Sequence, residues 1–430
     1  MNSSDFKGSI KVPRDASPLA KFFKFLGPGL LVSVGYMDPG NWATDIEAGS
    51  RFGYLLLCIV LVSSLGAIVL QYLSLKLGIA SGLDLAAASR EYYDPKTNLF
   101  QWLLAEIAII ATDIAEVLGS ALAFKLLFGC SLLVGVGITC LDTFLVLAFA
   151  GKGFRKIEAL ILGLVATIGI CFLVELLIAQ PHLSSVLKGY IPSLQLTQDT
   201  HSWYLAIGII GATIMPHNLY LHSAIVQTRN FGVTDSEKQQ AIRFSTIDTL
   251  ISLALAFLVN SAILILAGST FYKTGYQGVA DIQDAHRLLE PILGTTLAPF
   301  LFAIALLASG QSSTFTGTIA GQVILEGFLK IQMPSWKIRL LTRGLALLPA
   351  FIGVLLLGDN STGKLLVITQ VILGLQLPFA IYPLVRFTSD KKIMGVFANQ
   401  TPIKWIAWLL FSGISLANLW LIWQIYESWS

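Results

Sequence analysis

Two short segments of this chain place cation-binding groups beside a proline. Asp38 and Asn41 flank the pair Pro39-Gly40, and Met215 directly precedes Pro216. Oxygen ligands alone suit Mg²⁺ or Ca²⁺, whereas a thioether favours softer ions such as Mn²⁺, Fe²⁺, Co²⁺ or Cd²⁺. The two segments together predict a site for a divalent transition-metal ion. Its candidate ligands are the side chains of Asp38, Asn41 and Met215 and a freed backbone carbonyl near Ala212.

A line of acidic residues follows one stretch of the chain at helical spacing. Glu106, Asp113 and Glu116 are seven and three residues apart, so a helix puts them on one face. Together with His217 they are typical of a chain of protonatable groups for proton passage. Arg343 lies deep within an apolar run and is a candidate partner for this line. Structural salt bridges are the alternative explanation for the same residues.

Four further polar residues lie within apolar runs: Gln71, His222, Gln370 and Gln376. We expect them either to line the path of an ion or to form hydrogen bonds between helices. His217 and His222 are five residues apart with no Glu between them, which does not match the paired histidines of a zinc protease. A membrane-embedded metal-dependent hydrolase is therefore disfavoured.

The composition shows which solvent surrounds these groups. The chain is 55% apolar and only 12% charged, against roughly 25% charged in a typical soluble domain. Most of it must therefore lie in lipid. The net charge of +3 is too small to indicate nucleic-acid binding, and no feature of the sequence indicates an obligate protein partner.

The apolar residues are arranged in runs long enough to cross a bilayer. A hydrocarbon core of roughly 30 Å needs about 20 apolar residues per helix. The sequence contains eleven such runs with short connections, so we predict an all-α integral membrane protein with eleven transmembrane helices. We number these spans 1 to 11 in chain order: 26–50, 53–76, 99–127, 130–150, 157–180, 202–228, 244–270, 296–326, 338–357, 364–387 and 403–426.

The positive charges predict the orientation of these spans. Most of the 28 Lys and Arg residues fall on one side of the membrane if the N-terminus is cytoplasmic, and cytoplasmic connections are the ones enriched in these residues. We therefore expect a cytoplasmic tail over 1–25 and a C-terminus outside the cell. The short connections favour a bacterial inner membrane.

Spans 1 and 6 are each interrupted in the middle. Pro39 lacks an N–H and crowds the preceding turn, and Gly40 tolerates unusual backbone angles, so span 1 should unwind around Asp38. Span 6 has the same pattern over 211–218. Unwound backbone within a bilayer is tolerated only where protein or a hydrated site receives it.

Paired interruptions predict the architecture. Inverted repeats that each begin with a broken helix are a recurring plan of secondary transporters, and the breaks then meet at the bilayer midplane. We therefore predict one transporter domain over 26–430, with repeat one at 26–180, repeat two at 202–387 and an extra helix at 403–426. The repeat rests on hydropathy and on the paired breaks, because no convincing residue-level similarity links the two halves.

Three of the candidate ligands also have structural explanations. Met215 could simply fill a gap in the core, and Asn41 could cap the second half of span 1. Asp38 could also cap a half-helix, but this is the weakest of the three structural alternatives, because a carboxylate at membrane depth costs at least about 2.5 kcal/mol and is functional by default.

These residues resemble a known family. Asp38-Pro39-Gly40-Asn41 together with Met215-Pro216-His217 is similar to the motifs of the Nramp (natural resistance-associated macrophage protein) family of metal-ion transporters, and 309–322 looks like the signature of its eighth helix. The resemblance spans all eleven helices. It implies a LeuT-type fold and symport of Mn²⁺ or Fe²⁺ with H⁺, without a cofactor. It further implies metal ligands at Asp38, Asn41, the Ala212 carbonyl and Met215, and proton transfer assisted by His217, Glu106, Asp113 and Glu116.

Two other transporters remain as alternatives. A sodium-coupled amino-acid transporter of the same architecture would hold a substrate carboxylate at a broken helix, and Asp38 argues against an anion there. A Mg²⁺ transporter of an Nramp-related branch would depart from the Met-containing pattern, which this sequence keeps. The sequence does not rank Mn²⁺ against Fe²⁺, because their ligand preferences overlap.

Overall fold

The structure is a computed structural model of the chain. It describes residues 7–13, 15, 17–139, 141, 154–197, 199–331, 335–357 and 362–429. Within this part of the chain, residues 132–139 are helical, but most of predicted span 4 lies outside the described residues. The side chain of Arg343 lies outside them as well, and so does its predicted pairing with the acidic line.

The described ranges are almost wholly helical, with one pair of two-residue strands. The elements in chain order are β1 Ile10–Lys11, α1 Pro18–Phe25, α2 Pro28–Val34, α3 Pro39–Phe52, α4 Leu57–Ser81, α5 Leu85–Tyr92, α6 Pro95–Phe128, α7 Phe154–Ala179, α8 Leu183–Gly189, α9 Thr200–Thr213, α10 Pro216–Ile225, β2 Arg229–Asn230, α11 Asp235–Ala267, α12 Ile282–Leu293, α13 Leu297–Leu329, α14 Ser335–Leu357, α15 Thr362–Ser389, α16 Lys391–Met394 and α17 Thr401–Trp429.

The long helices follow the predicted spans. In the described part of the chain, 8 stretches are long and apolar enough to cross a membrane, and they correspond to spans 2, 3, 5, 6, 7, 8, 10 and 11. Helix α14 coincides with span 9, and span 1 consists of the two shorter helices α2 and α3. The prediction of an all-helical, multi-pass membrane protein is confirmed.

Two helices begin well before the apolar runs that predict them. Helix α6 begins at Pro95 and α11 at Asp235, against predicted starts of 99 and 244. The Asp94 side chain caps α6, and Thr234 with Glu237 forms a capping box at the start of α11. Capped first turns are polar, so a hydropathy pattern does not include them.

The interrupted spans lie at the centre of the helical bundle. Helix α3 packs against α6, α9, α11 and α15, and α10 packs against α4, α6, α13 and α15. Protein therefore encloses both interruptions, as unwound backbone in a membrane requires. The prediction that spans 1 and 6 are broken in the middle is confirmed.

The strands tie the N-terminal segment to the segment that follows α10. Strands β1 and β2 pair in parallel, with Ile10 opposite Arg229. The backbone N–H of Gly8 also donates to the Gln227 carbonyl at 2.9 Å. The residues before α1 are thus fixed against the end of span 6.

Candidate metal site

Asp38 occupies the point where span 1 is interrupted. The 3₁₀ turn Gly35–Met37 ends there, and Asp38 adopts an extended backbone with φ −69° and ψ 164° before α3 begins. Its Oδ1 accepts hydrogen bonds from the backbone N–H and from Nδ2 of Asn41, both at 2.9 Å. Its Oδ2 is buried and makes no hydrogen bond of good geometry with a described residue, although the Gly40 N–H and the Gln370 side chain lie near enough to interact with the carboxylate. The carboxylate is thus held by one oxygen, and the other is available to a cation.

Asn41 lies in the first turn of α3 and has a free acceptor. Because it donates to Asp38 through Nδ2, its side-chain oxygen can still accept a cation. Asn41 is buried, with 1% of its surface exposed. Asp38 caps α3, so the alternative that Asn41 is the cap is wrong, and the role of Asn41 as a ligand stays a prediction.

The backbone carbonyls released by the first interruption accept hydrogen bonds from side chains. Asn260 Nδ2 donates to the Tyr36 carbonyl at 2.8 Å. Ser309 Oγ donates to the Met37 carbonyl at 2.6 Å, and the Trp42 indole N–H reaches the same oxygen at 3.2 Å. Side chains from α3, α11 and α13 therefore satisfy this part of the unwound backbone.

The second interruption leaves a carbonyl without its helical partner. Helix α9 ends at Thr213, and Ile214 and Met215 have ψ angles of 89° and 128° before α10 begins at Pro216. In a continuous helix the carbonyl of Ala212 would accept the N–H of residue 216, and proline has none. The Ala212 carbonyl is therefore free to act as an oxygen ligand in this buried position.

Met215 lies at the same interruption and is completely buried. Its side chain forms a small apolar cluster with Ala108 and Ala111 of α6 and Leu373 of α15. This packing is real whether or not the sulfur also binds a metal. The role of Met215 as a ligand stays a prediction.

The two interruptions are in contact. The side chain of Asn218, in the first turn of α10, lies so close to Gly35 that a β-carbon there would collide with it. Gly208 of α9 faces the Thr44 side chain of α3, where an added β-carbon would lie 3.5 Å from Cγ2. The halves of span 1 therefore pack directly on the halves of span 6, which brings the neighbourhoods of Asp38 and Met215 together.

Carboxylates, histidines and thiolates do not by themselves form a metal site here. Within the described residues, no three His, Cys, Asp or Glu side chains converge on one point. A divalent ion at the crossing would therefore need a mixed donor set of carboxylate, amide, carbonyl and thioether.

The acidic line of span 3 lies on α6, beside His217. Asp113 and Glu116 are buried, and Glu106 is partly exposed. His217 Nδ1 and Thr112 Oγ1 are 3.2 Å apart, which joins α10 to α6 one residue before Asp113. Glu106 and Asp113 also interact electrostatically. The predicted proton residues therefore share one region, although their role is untested.

The position of Glu116 explains why one residue of the stretch 309–322 is a glycine. Its carboxylate lies against Gly317 of α13, where a β-carbon would come within 2.6 Å of Oε1. Only glycine leaves room for this close approach. The small residues of that stretch thus let α13 pack tightly on the acidic face of α6.

The four remaining polar candidates differ in their surroundings. Gln71 donates to the Tyr36 hydroxyl at 2.8 Å, and its oxygen lies 2.8 Å from His222 Nδ1, so these residues form an interhelical network. Gln376 lies beside the Tyr220 hydroxyl. Gln370 lies against Gly40, with no space for a β-carbon between them. The contacts favour the structural interpretation of Gln71 and His222 and put Gln370 next to the first interruption.

Asp45 is a buried carboxylate that the sequence analysis missed. It lies on α3, four residues after Asn41, and only 2% of its surface is exposed. Its Oδ2 has no hydrogen-bond partner among the described residues. The helical spacing of positions 38, 41 and 45 is the pattern that could have revealed it.

A second missed group surrounds the start of α2. Asp248 accepts the backbone N–H groups of Gly27 at 3.2 Å and Gly29 at 2.7 Å. The buried Arg229 pairs with Glu158 at 2.7 Å and donates to the Leu26 carbonyl at 2.6 Å. Burial lowers the pKa of the Arg229 guanidinium, and the Glu158 carboxylate opposes that change. This group fixes the beginning of the broken span.

The sequence profile described as natural resistance-associated macrophage protein-like matches residues 29–424. This chain belongs to the Nramp family. Among curated Nramp relatives, the divalent metal cation transporter MntH of Ralstonia nicotianae is 59% identical over 422 residues, which are 98% of this chain and 96% of the relative. The divalent metal cation transporter MntH 1 of Pseudomonas aeruginosa is 59% identical over 414 residues, which are 96% and 94% of the two chains.

Solved structures agree with this Nramp assignment. A variant of the Eremococcus coleocola manganese transporter is 41% identical and superposes with a TM-score of 0.91, over 98% of this chain and 90% of the other. The more distant MhsT, solved with L-phenylalanine, has 14% identity and a TM-score of 0.62, over 91% of this chain and 98% of the other. The predicted LeuT-type fold is therefore confirmed.

Proposed function

We propose that this Nramp protein is a secondary active transporter that imports divalent transition-metal ions together with protons. The observation that carries the proposal is the pair of oxygens at the crossing: Oδ2 of Asp38 and the carbonyl of Ala212. Both oxygens are buried. Oδ2 of Asp38 lacks a well-aligned hydrogen-bond donor, and the carbonyl of Ala212 lacks the backbone N–H that a continuous helix would supply. A cation is the partner that satisfies two such oxygens at once.

The donor set supports a transition metal over a hard ion. Asp38 and Asn41 supply oxygens, Ala212 supplies a carbonyl and Met215 supplies a thioether. Sulfur stabilises Mn²⁺, Fe²⁺, Co²⁺ or Cd²⁺ better than Mg²⁺ or Ca²⁺. The names of the relatives, divalent metal cation transporters and a manganese transporter, support the same substrates. The ion is cargo in this proposal, and the protein is not an enzyme and needs no cofactor.

Proton coupling is the finer part of the proposal. His217 begins the second half of span 6 and is joined to Thr112 of α6, next to Asp113. Protons would then move along Glu116, Asp113 and Glu106, which is their order on α6, with Arg343 as the charge partner of this line. Alternating access would follow from movement of one repeat against the other around the site.

The proposed orientation follows the positive charges. The N-terminal tail is cytoplasmic, the C-terminus lies outside, and the protein resides in a bacterial inner membrane. In this orientation α3 forms the outer half of span 1 and α2 forms its inner half. The single domain of 26–430 carries both repeats and the extra helix.

Uptake of Mn²⁺ into proteoliposomes tests the proposal. Asp38→Ala should abolish uptake, because it removes the free carboxylate at the crossing. The matched control is Asp284→Ala, since Asp284 is an exposed carboxylate on α12 that pairs weakly with Arg287. Folding of both variants is checked by size-exclusion chromatography and thermal melting.

Three results would overturn the proposal. Wild-type uptake by Asp38→Ala would remove the site. Uptake that requires Na⁺ and an amino acid would favour the sodium-coupled alternative, and a preference for Mg²⁺ would favour the Nramp-related Mg²⁺ branch.

A further inference from the structure

Asp45 is a buried carboxylate on α3, the helix that begins at the proposed metal site. Positions 41 and 45 are four residues apart on α3 and share one face. One turn of helix separates them, about 6 Å along the axis. The side chain of Asp45 therefore faces the same region as that of Asn41. In the proposed orientation, Asp45 lies on the outer side of the site.

Asp45 has a negatively charged neighbour but no positively charged partner among the described residues. Among the described residues, Asp38 is the charged group whose field acts on Asp45. No described Lys, Arg or His is paired with it, and its Oδ2 is buried without a hydrogen bond. Two ionised carboxylates in one buried region repel each other unless a cation lies near both.

Glu47 shows what a structurally paired acid looks like on the same helix. Its Oε1 lies 3.1 Å from His201 Nε2 and 3.8 Å from an Arg51 nitrogen. The contact with His201 joins the outer ends of spans 1 and 6, whereas Arg51 lies on α3 itself. Asp45, two residues earlier, lacks any such partner among the described residues, so a structural ion pair does not explain it.

The charge of the transported ion explains why Asp45 is buried without an ion-pair partner among the described residues. A divalent ion held by Asp38 alone would leave one unbalanced positive charge in a buried region, where interactions between charges are strong. Seven residues of helix span about 10 Å, so Asp45 is too far from Asp38 to be expected as a direct ligand beside it. It can still act through space, because a buried pair is weakly screened.

We propose that Asp45 is the second counter-charge of the site, which balances a divalent ion together with Asp38 and so favours divalent over monovalent cations. The inference rests on the proposed function, because it assumes that Asp38 binds the cargo. Asp45 is then a selectivity-determining residue that acts on the ion without touching it.

Binding of Mn²⁺ to the full-length protein in nanodiscs, followed by isothermal titration calorimetry, tests this inference. Asp45→Asn is nearly isosteric and removes only the charge, so it should weaken Mn²⁺ binding at least about tenfold. Asp45→Glu restores the charge and should recover most of the affinity. In Asp45→Asn, less Na⁺ should be needed to displace Mn²⁺, because a singly charged site no longer prefers a divalent ion.

The matched control is Glu47→Gln, which neutralises the neighbouring acid of α3 and should leave Mn²⁺ affinity and Na⁺ competition unchanged. Should Asp45→Asn fail to fold, Asp45→Ser replaces it with the same expectation. Parental Mn²⁺ affinity in the neutral variant overturns the inference. So does equal weakening by Asp45→Asn and Asp45→Glu, since a residue needed only for its shape behaves in that way.

These outcomes are separate from those of the proposed function. If Asp38→Ala keeps uptake, the metal site itself is wrong. If Asp38→Ala abolishes uptake while Asp45→Asn binds Mn²⁺ normally, the site stands and only the role of Asp45 falls.

Discussion

Replacing Met215 by leucine separates the two explanations of this side chain, metal ligand and packing residue. Met215 is fully buried among Ala108, Ala111 and Leu373. Truncation to alanine would remove the packing along with the sulfur, at a cost of about 2–5 kcal/mol of stability. Leucine keeps nearly the same volume and typically costs less than about 1.5 kcal/mol. A change in ion selectivity in Met215→Leu therefore reports on the sulfur.

The expected change in selectivity follows from ligand chemistry. A thioether contributes most to Cd²⁺ and less to Mn²⁺, and it occupies a position that a hard ion would fill with water or a carboxylate. Met215→Leu should therefore weaken Cd²⁺ uptake most and Mn²⁺ uptake less. It should also allow Ca²⁺ or Mg²⁺ to compete with Mn²⁺. A tenfold shift in relative affinity corresponds to about 1.4 kcal/mol, which one ligand exchange can supply.

The assay is Mn²⁺ uptake into proteoliposomes of one lipid composition, titrated with Cd²⁺, Ca²⁺ and Mg²⁺. Met394→Leu is the matched control, because Met394 is also buried but lies on α16, outside the crossing. It should leave all competition curves unchanged. Parental curves for Met215→Leu as well would refute the ligand role, and the preference for transition metals would then need another source.

Two further predictions concern the groups around the site. Asp113→Asn or His217→Gln should reduce metal-driven acidification inside vesicles more than it reduces Mn²⁺ binding, whereas equal losses would make these residues structural. Arg229→Met should lower the unfolding temperature, because it removes one partner of the buried Glu158 and such losses cost about 3–5 kcal/mol. Arg155 lies 3.1 Å from Glu158 and remains as a partner, so the loss of stability should be at the lower end of this range. An unchanged melting temperature would contradict a stabilising role of the Arg229–Glu158 pair.

The helix interruptions were predictable because the features that cause them are local. A proline removes the N–H that would bond to the carbonyl four residues earlier, so Pro39 and Pro216 mark each break to within about two residues. The observed breaks at Asp38 and at Ile214–Met215 lie where these prolines predict them. The candidate ligands are neighbours of the prolines and could be named for the same reason.

Contacts between distant segments could not be predicted in this way. Nothing near Ser309 indicates that its hydroxyl donates to a carbonyl 272 residues away, and the contact between Thr112 and His217 joins positions 105 residues apart. Such pairs depend on how the helices pack, which hydropathy does not report. Asp45 is different, because its spacing from Asn41 was visible in the sequence and only its burial and its missing partner required the structure.

The two interruptions differ in what they leave for an ion. In the first, Asn260 and Ser309 donate hydrogen bonds to released carbonyls, so this segment can offer mainly side chains to an ion. In the second, Pro216 denies the Ala212 carbonyl its donor, and no side chain is seen to replace that donor among the described residues. One break thus supplies charge and the other supplies a neutral backbone oxygen. Because the charge comes from span 1 and the carbonyl from span 6, an ion bound as proposed would link these two spans, and movement of one span against the other would change its coordination.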